Sequence, residues 1–154
     1  EDFQQHVSDV DASVKAAEQR IVQITSELST QKVIQKHCDS YRLCRKVIED
    51  CKSAKNPKEY RSKHLAEYQL HDSLKKELQD LGVTKIPSSN KIQKRIENLE
   101  SEQAATVREK QKLQKKQKTL DIIQQNFSVL LDAPEINSDL LPAKREPVSV
   151  TRDK

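Results

Sequence analysis

The sequence contains one glycine, five prolines, no methionine and no tryptophan, and only 3% of its 154 residues are aromatic. Sheets depend on aromatic and β-branched residues and on tight turns, so this scarcity excludes a sandwich, a barrel or a doubly wound sheet. A glycine-rich phosphate loop is excluded as well, because the chain has only Gly82. An all-α chain remains, and its 34% hydrophobic content predicts narrow apolar seams rather than a wide core.

The sequence also lacks the signals of membrane insertion and export. It has no run of 18 apolar residues, and residues 1–5 have neither a basic start nor an apolar stretch. The three cysteines, Cys38, Cys44 and Cys51, share one predicted helix, and an odd number at this spacing forms no disulfide framework. We therefore interpret them as free thiols in a reducing cytoplasm. Because no initiator methionine is present, we expect a piece of a longer protein.

The first predicted helix covers residues 3–54, which contain no proline and no glycine. Apolar residues from Val7 to Leu28 keep the alternating spacing of three and four that is typical of a coiled-coil seam. The phase slips near Gln31, and the stripe then resumes and ends at Cys51. A helix of this length rises about 75 Å, which is too long for the rest of so short a chain to cover.

A second helix is predicted for residues 57–81. Asn56 is placed to be its N-cap, proline follows at the position whose N–H needs no partner, and Glu59 completes a capping box. Gly82 ends the helix, because glycine adopts the left-handed conformation at little cost. We expect Val83 to fold back onto this helix as in a Schellman motif.

A third helix is predicted for residues 89–131, with Ser88 or Ser89 as its cap. The prolines and polar residues of 132–154 predict a flexible tail. If the tight turn at Asn56 makes the first two helices antiparallel, the third helix runs parallel to the first. We therefore expect an elongated three-helix antiparallel coiled-coil bundle over residues 1–131, in which the long helices overhang the middle.

The overhanging parts of this bundle are predicted to be residues 3–30 at one end and about 115–131 at the other. Each carries an apolar stripe that has no partner within the chain. Because apolar seams left in water usually indicate oligomerisation, we expect a dimer joined through Val7 to Leu28 or through Leu120 to Leu131.

A polar cluster is predicted to face inward between the first two helices, formed by Cys44, His64, Glu67 and His71. Cysteine, histidine and glutamate could in principle bind zinc, but the two histidines are about 10.5 Å apart along the axis, too far to share one ion. Cys44 lacks an orienting third group and an oxyanion loop, so we expect no nucleophile. We interpret the cluster as a buried hydrogen-bonded layer that fixes helix register, without metal or cofactor.

A basic run in the third helix supports two interpretations. Six of the residues from Arg108 to Lys118 are basic and one is acidic, and Arg108, Lys112, Lys115 and Lys116 share one broad helix face. With no aromatic residue in the run, such a face contacts phosphates without reading bases. The alternative interpretation is a solvated face that binds nothing.

Several stretches together resemble one known family. They are Val14–Ile21, Tyr60–His64 with Glu67 and His71, Leu81–Ser88 and Gln125–Leu131. These stretches are similar to the C-terminal helical region of the relaxase/mobilisation nucleases that conjugative transposons and plasmids of Gram-positive bacteria carry. The resemblance covers about residues 14–131, and the Leu-Gly to Lys-Ile-Pro-Ser link is its most distinctive part.

The resemblance implies a parent protein that nicks one DNA strand with a tyrosine nucleophile and a metal held by clustered histidines, in a domain that these residues do not include. This chain has no His-x-His pair, so no catalytic residue is carried over. We expect a non-catalytic module in the bacterial cytoplasm that serves homo-oligomeric assembly, non-specific DNA contact, and contact with relaxosome or secretion-machinery proteins, without a small-molecule substrate. The alternative is a structural cytoplasmic coiled-coil scaffold with no DNA role.

Overall fold

The computed structural model describes residues 2–132, and these residues form helices joined by short connections. Four helices follow in chain order: α1 Asp2–Ser53, α2 Pro57–Lys63, α3 Leu65–Asp80 and α4 Ser89–Asp132. No strand occurs within 2–132, and the predicted all-α class is confirmed over that range. The tail predicted for 132–154 lies outside the described residues, except for Asp132, which is the last residue of α4.

The turn between α1 and α2 has the capping interactions that the sequence predicts. The side-chain oxygen of Asn56 accepts a hydrogen bond from the backbone N–H of Glu59 at 3.4 Å. The Glu59 carboxylate in turn accepts from the amide Nδ2 of Asn56 at 3.3 Å. Pro57 occupies the first helical position, where a missing N–H costs nothing. The predicted start of the second helix is confirmed.

The end of α3 is a Schellman motif, as predicted. Gly82 has a φ of 80°, the left-handed conformation that side chains with a Cβ rarely adopt. Its N–H donates to the carbonyl of Gln79 at 2.9 Å, and the N–H of Val83 donates to the carbonyl of Leu78 at 2.8 Å. These two bonds satisfy carbonyls that the last turn of a helix leaves without partners.

The segment predicted as one helix over 57–81 is two helices, because the chain leaves helical geometry at His64. This residue has φ −114° and ψ 27°, and its N–H is shared between the carbonyls of Tyr60 and Arg61 at 3.1 and 3.2 Å. Its ring lies against that of Tyr60, with 4.3 Å between centroids. Such a break usually coincides with proline or glycine. Here the interactions of the His64 ring and backbone stabilise it instead.

The core contains side chains of α1, α3 and α4. Four of its members are almost completely buried: Ile24 and Cys38 of α1, Leu78 of α3 and Leu99 of α4. The remaining core residues share the same cluster and are Leu28, Ile34, Ile92 and Ile96. Three helices therefore contribute to one apolar core near the middle of α1.

Helix α4 runs antiparallel to α1, and the predicted parallel direction is wrong. Along α4, Gln93 contacts Gln35 at 3.0 Å and Gln103 contacts Thr25 at 2.9 Å. Further on, Gln117 contacts Asp11 at 2.6 Å. The partner on α1 moves toward its N-terminus as α4 advances, which only opposite directions produce.

The link between α3 and α4 explains this reversal. Near the end of α3, Glu77 lies 3.4 Å from His37 of α1. The link then climbs back along α1, where the guanidinium of Arg42 donates to the carbonyl of Pro87 and to the hydroxyl of Ser89. Helix α4 thus begins beside a part of α1 that lies closer to the C-terminus of α1 than the part beside which α3 ends. From there it descends along the N-terminal part of α1.

The predicted overhang of residues 3–30 is therefore also wrong. Val10, Val14 and Ala17 are buried at 4 to 8% exposure, because α4 packs along this part of α1. An apolar stripe covered within the chain offers no basis for a dimer through Val7 to Leu28. The described residues divide into two compact units, one ending at Lys118 and one beginning at Thr119, and the contacts above belong to the first.

Candidate nucleic-acid interface

One side of α4 is occupied by contacts to α1. The ammonium group of Lys110 lies 3.0 Å from the carboxylate of Glu18, and Gln103 and Gln117 also contact α1 from this side. Sequence analysis did not find this partner of Lys110, because the predicted direction of α4 was wrong. Lys110 therefore forms an ion pair that joins α4 to α1.

The opposite side of α4 carries the four cations predicted to contact DNA. Arg108, Lys112, Lys115 and Lys116 are all exposed. At about 100° per residue they fall within a sector of about 100°, whose centre lies roughly 170° from Lys110 and 150° from Gln117. The structure therefore places all four on one face that points away from α1. We call these four residues the basic face.

Three cations of the basic face have no acidic partner. Arg108, Lys112 and Lys116 form no ion pair with any residue in the described range 2–132. The four cations span about 12 Å of helix axis. The charges of Arg108, Lys112 and Lys116 are therefore available to an external anion, and the absence of aromatic residues from 108–118 gives that anion no ring to stack on.

The sequence predicts a polar cluster between the first two helices. In the structure its residues lie between α1 on one side and α2 and α3 on the other. Nδ1 of His64 lies 3.2 Å from the carboxylate of Glu67. This hydrogen bond is the main reason that the pKa of Glu67 lies below its ordinary value. His71 takes no part in that contact. Its ring stacks on Tyr41, with 4.6 Å between centroids.

The cluster is less buried than predicted. Cys44 is 4% exposed, but the side chains of His64, Glu67 and His71 are 33%, 39% and 18% exposed. The physical reason is the position of α4, which begins beside Arg42 and descends away from this part of α1. The layer is therefore partly hydrated on the side that a third helix would have covered.

The cluster does not converge on one point. His64 faces Glu67, whereas Nδ1 of His71 lies 3.3 Å from the carboxylate of its neighbour Asp72. Among residues 2–132, no three histidine, cysteine, aspartate or glutamate side chains come together as a metal site would require. The geometry favours separate pairwise contacts rather than a shared ligand set.

All three cysteines are free and buried. Burial raises the pKa of Cys38 and of Cys44, and the nearby charge of Glu67 adds to the rise at Cys44. A thiol is a nucleophile only as its thiolate, so these shifts make both side chains less reactive. Cys51 donates to the carbonyl of Pro57 at 3.6 Å and ties the end of α1 to α2.

One feature of the surface was missed by sequence analysis. An apolar cleft of about 360 Å³ lies where the link meets α1 and α4, and Lys85, Lys91 and Arg95 stand around it. In the sequence these three cations are separated and belong to no run. The signal available was the link Leu81–Ser88 itself, in which apolar residues lie on both sides of Lys85.

Among the residues described, no helix is long and apolar enough to cross a membrane. Comparisons of the chain with protein-family models, with curated proteins and with solved structures found no match.

Proposed function

We propose that this chain is a non-catalytic helical module that holds nucleic acid through its phosphates, with the basic face of α4 as the contact surface. The observation that carries the proposal is the division of α4 into two sides. Lys110 pairs with Glu18, while Arg108, Lys112 and Lys116 on the opposite side pair with no described residue. Cations that hold no part of the fold together are free to neutralise phosphates.

The parent that we propose is a mobilisation relaxase acting in the bacterial cytoplasm, and its catalytic domain would supply the strand cleavage. The stretches Val14–Ile21 and Leu81–Ser88 support this assignment. In such a protein the module would keep the nicked strand near the complex and contact relaxosome or secretion-machinery proteins. Contacts to phosphates do not depend on sequence, so the module would add affinity rather than choose the origin of transfer.

The proposed packing of α1 against α4 is that of a coiled coil. Along α4, positions separated alternately by four and three residues face the core or α1, and they begin with Ile92, Ile96 and Leu99. The same spacing continues through Gln103, Thr106, Lys110, Leu113 and Gln117. A seam with this period supports coiled-coil packing. Its residues change from apolar to mostly polar along α4, and the basic face lies on the side of α4 that is turned away from α1.

We further propose homodimerisation through the last part of α4, where large apolar side chains are exposed. Between 57% and 83% of the surface of each is exposed, and they are Ile122, Phe127, Val129, Leu130 and Leu131. Burying one such side chain contributes roughly 1.5 to 3 kcal/mol, so a few on each partner outweigh the cost of association. A dimer would also double the number of phosphates within reach.

The experiment for nucleic-acid binding is fluorescence anisotropy with 20-nucleotide single- and double-stranded DNA at salt concentrations from 20 to 150 mM. The three unpaired cations neutralise about three phosphates, which predicts a slope of log affinity against log salt of about −2.7 for duplex DNA and a shallower one for single strands. The Lys112→Glu, Lys115→Glu, Lys116→Glu variant should lose binding and keep its helicity, because glutamate and lysine form helices about equally well.

The matched control is the Lys46→Glu, Lys75→Glu, Lys76→Glu variant. These lysines are exposed and lie on α1 and α3, and reversing them also lowers the formal net charge from +4 to −2. The control should retain most of the affinity. Equal losses in both variants would show that net charge alone attracts DNA. Absence of wild-type binding at 20 mM salt would leave the structural scaffold as the function.

Dimerisation is tested by sedimentation velocity at about 100 μM, well above a micromolar dissociation constant. The wild type should sediment as a dimer, and the Phe127→Glu, Leu131→Glu variant as a monomer. The control variant Gln125→Glu, Ser128→Glu adds two carboxylates to the same turns without removing apolar surface and should remain dimeric. A monomeric wild type would contradict this part of the proposal.

A further inference from the structure

We propose that the cleft beside the link between α3 and α4 binds an acidic segment of a partner protein, which inserts one apolar side chain between the helices. This site is separate from the basic face and does not depend on nucleic-acid binding. The cleft lies against the three-helix core, whereas the basic face lies farther along α4. We call it the link cleft.

The link cleft is held open by a well-anchored piece of backbone. Gly82 turns the chain with a φ of 80°, and the N–H of Val83 is bonded to the carbonyl of Leu78. At the other end, the guanidinium of Arg42 holds the carbonyl of Pro87, and the hydroxyl of Ser88 accepts from the N–H of Lys91 at 3.3 Å. A ligand would therefore enter a preformed cleft, without the entropic cost of ordering the link.

The floor of the link cleft is apolar. Ile34 of α1, Ile92 of α4 and Val83 and Pro87 of the link contribute to it. Its volume of about 360 Å³ is at the lower end of the roughly 300 to 1,000 Å³ that is usual for ligand sites. The space suits a single aliphatic or aromatic side chain of a peptide better than an extended cofactor.

The rim of the link cleft selects the charge of the ligand. Lys85, Lys91 and Arg95 line it, and none of the described residues that line it is acidic. Arg95 is paired with Glu27, whereas Lys85 and Lys91 are exposed and form no ion pair with a residue in the described range. Two unpaired ammonium groups beside an apolar floor are complementary to carboxylates that flank an apolar side chain.

Nucleic acid fits this site less well than an acidic peptide. The two lysines could contact phosphates, but none of the described residues that line the cleft is aromatic. Single-stranded nucleic acid gains much of its affinity by stacking bases on aromatic rings, and the apolar floor offers none. The floor therefore contributes to binding only when an apolar side chain covers it.

The test is a titration of the ¹⁵N-labelled chain with acidic decapeptides, each made of Asp and Glu around one central Leu, Ile, Val or Phe. We expect at least one peptide to shift the backbone amide signals of Thr84 and Lys85. Replacing its central residue with Ser should weaken binding about tenfold, since the loss is one buried apolar side chain. The same peptide with Lys in place of every acid should not bind.

Variants separate the link cleft from general electrostatic attraction. Lys85→Glu with Lys91→Glu should weaken peptide binding at least about tenfold, because two attractive pairs become repulsive. The control Lys75→Glu with Lys76→Glu changes the net charge equally on exposed positions of α3 and should bind as the wild type does. The basic-face triple variant should also bind the peptide normally, whether or not the chain binds DNA.

Three results would overturn the proposal. One is the absence of Thr84 and Lys85 shifts with every peptide of the panel. Another is equal affinity for the Leu and Ser peptides, which would show that the apolar floor is not used. The third is a 20-nucleotide single strand that shifts the same amides and binds more tightly than any peptide, which would assign the cleft to nucleic acid.

Discussion

Helix α1 has two kinds of neighbourhood along its length. Around Cys38 it packs with α3 and α4, and Ile24 belongs to the same buried cluster; both of these side chains are 0% exposed. Toward its N-terminus it packs with α4, and polar contacts such as Lys110 with Glu18 join the two helices. We call the first region the three-helix core and the second, formed by residues 10–20 and 103–117, the two-helix arm.

The two regions are expected to have different roles, because the three-helix core stabilises the fold and the two-helix arm carries the basic face. Three helices can enclose apolar side chains on all sides, whereas two helices leave part of each seam in contact with water. The two-helix arm therefore tolerates glutamine, threonine and lysine in its seam, and the exposed side of α4 there can carry the basic face. The three-helix core is expected to supply most of the free energy of unfolding.

The largest effect is expected in the three-helix core. Leu99 is 1% exposed, so Leu99→Ala should lower the free energy of unfolding by about 2 to 5 kcal/mol through lost burial and a cavity. Leu113→Ala removes the same atoms from a partly exposed position of the two-helix arm and should cost less than half as much. Urea unfolding of both variants measures the comparison, and equal losses would remove the distinction between the regions.

A smaller effect is expected at the turn that ends α3. Gly82→Ala forces a side chain into the left-handed conformation and should cost about 1 to 2 kcal/mol. An added Cβ meets no atom within 4 Å, so the cost comes from the backbone alone. Gly82→Asn should cost less, because asparagine tolerates this conformation better. Thermal unfolding of the two variants gives their order, and a reversed order would place the cost elsewhere.

Alkaline pH should lower the free energy of unfolding through the buried thiols of Cys38 and Cys44. The pKa values of Cys38 and Cys44 are raised above the ordinary 9.0 by burial. This stabilising contribution is fully present below pH 9 and is lost as the pH rises through the folded-state pKa values, since the unfolded chain releases these protons first. Urea unfolding at pH 7.5 and 10 should therefore show a larger loss for the wild type than for Cys38→Ala, Cys44→Ala. An identical loss would contradict this origin.

The smallest effect is expected from the ion pair of the two-helix arm. Lys110 and Glu18 are 28% and 48% exposed, so their coupling should be only about 0.2 to 1 kcal/mol and should weaken with salt. A double-mutant cycle with Lys110→Ala and Glu18→Ala isolates this term. A coupling above about 2 kcal/mol would mean that the polar seam contributes far more to stability than its exposure suggests.

Sequence patterns predicted those parts of the fold that depend on local chemistry. Asn56, Gly82 and Ser88 each act through atoms within a few residues, and all three ends are confirmed. The break at His64 was missed because no proline or glycine marks it. It depends on a ring contact with Tyr60 and a shared backbone bond, neither of which leaves a pattern in the sequence.

The direction of α4 was not predictable from periodicity, because an apolar stripe packs equally well against a parallel or an antiparallel neighbour. The direction follows the path of the link, which is held against α1 by long-range contacts such as those of Arg42 with Pro87 and Ser89. The same error hid the partner of Lys110 and left the polar cluster predicted as buried. The basic face, by contrast, follows from helix geometry alone, and its four cations are exposed together as the spacing indicated.

Hydrogen exchange of the amides of α4 should be measured with and without single-stranded DNA at 20 mM salt. It tests most directly whether the three-helix core stabilises the fold while the two-helix arm binds nucleic acid. We predict the slowest exchange at residues 92–99 in the three-helix core, with no change when DNA is added. Residues 103–118 should exchange faster in the free chain and slow down when DNA binds. Uniform exchange along α4, or slowing by DNA confined to residues 92–99, would contradict the account.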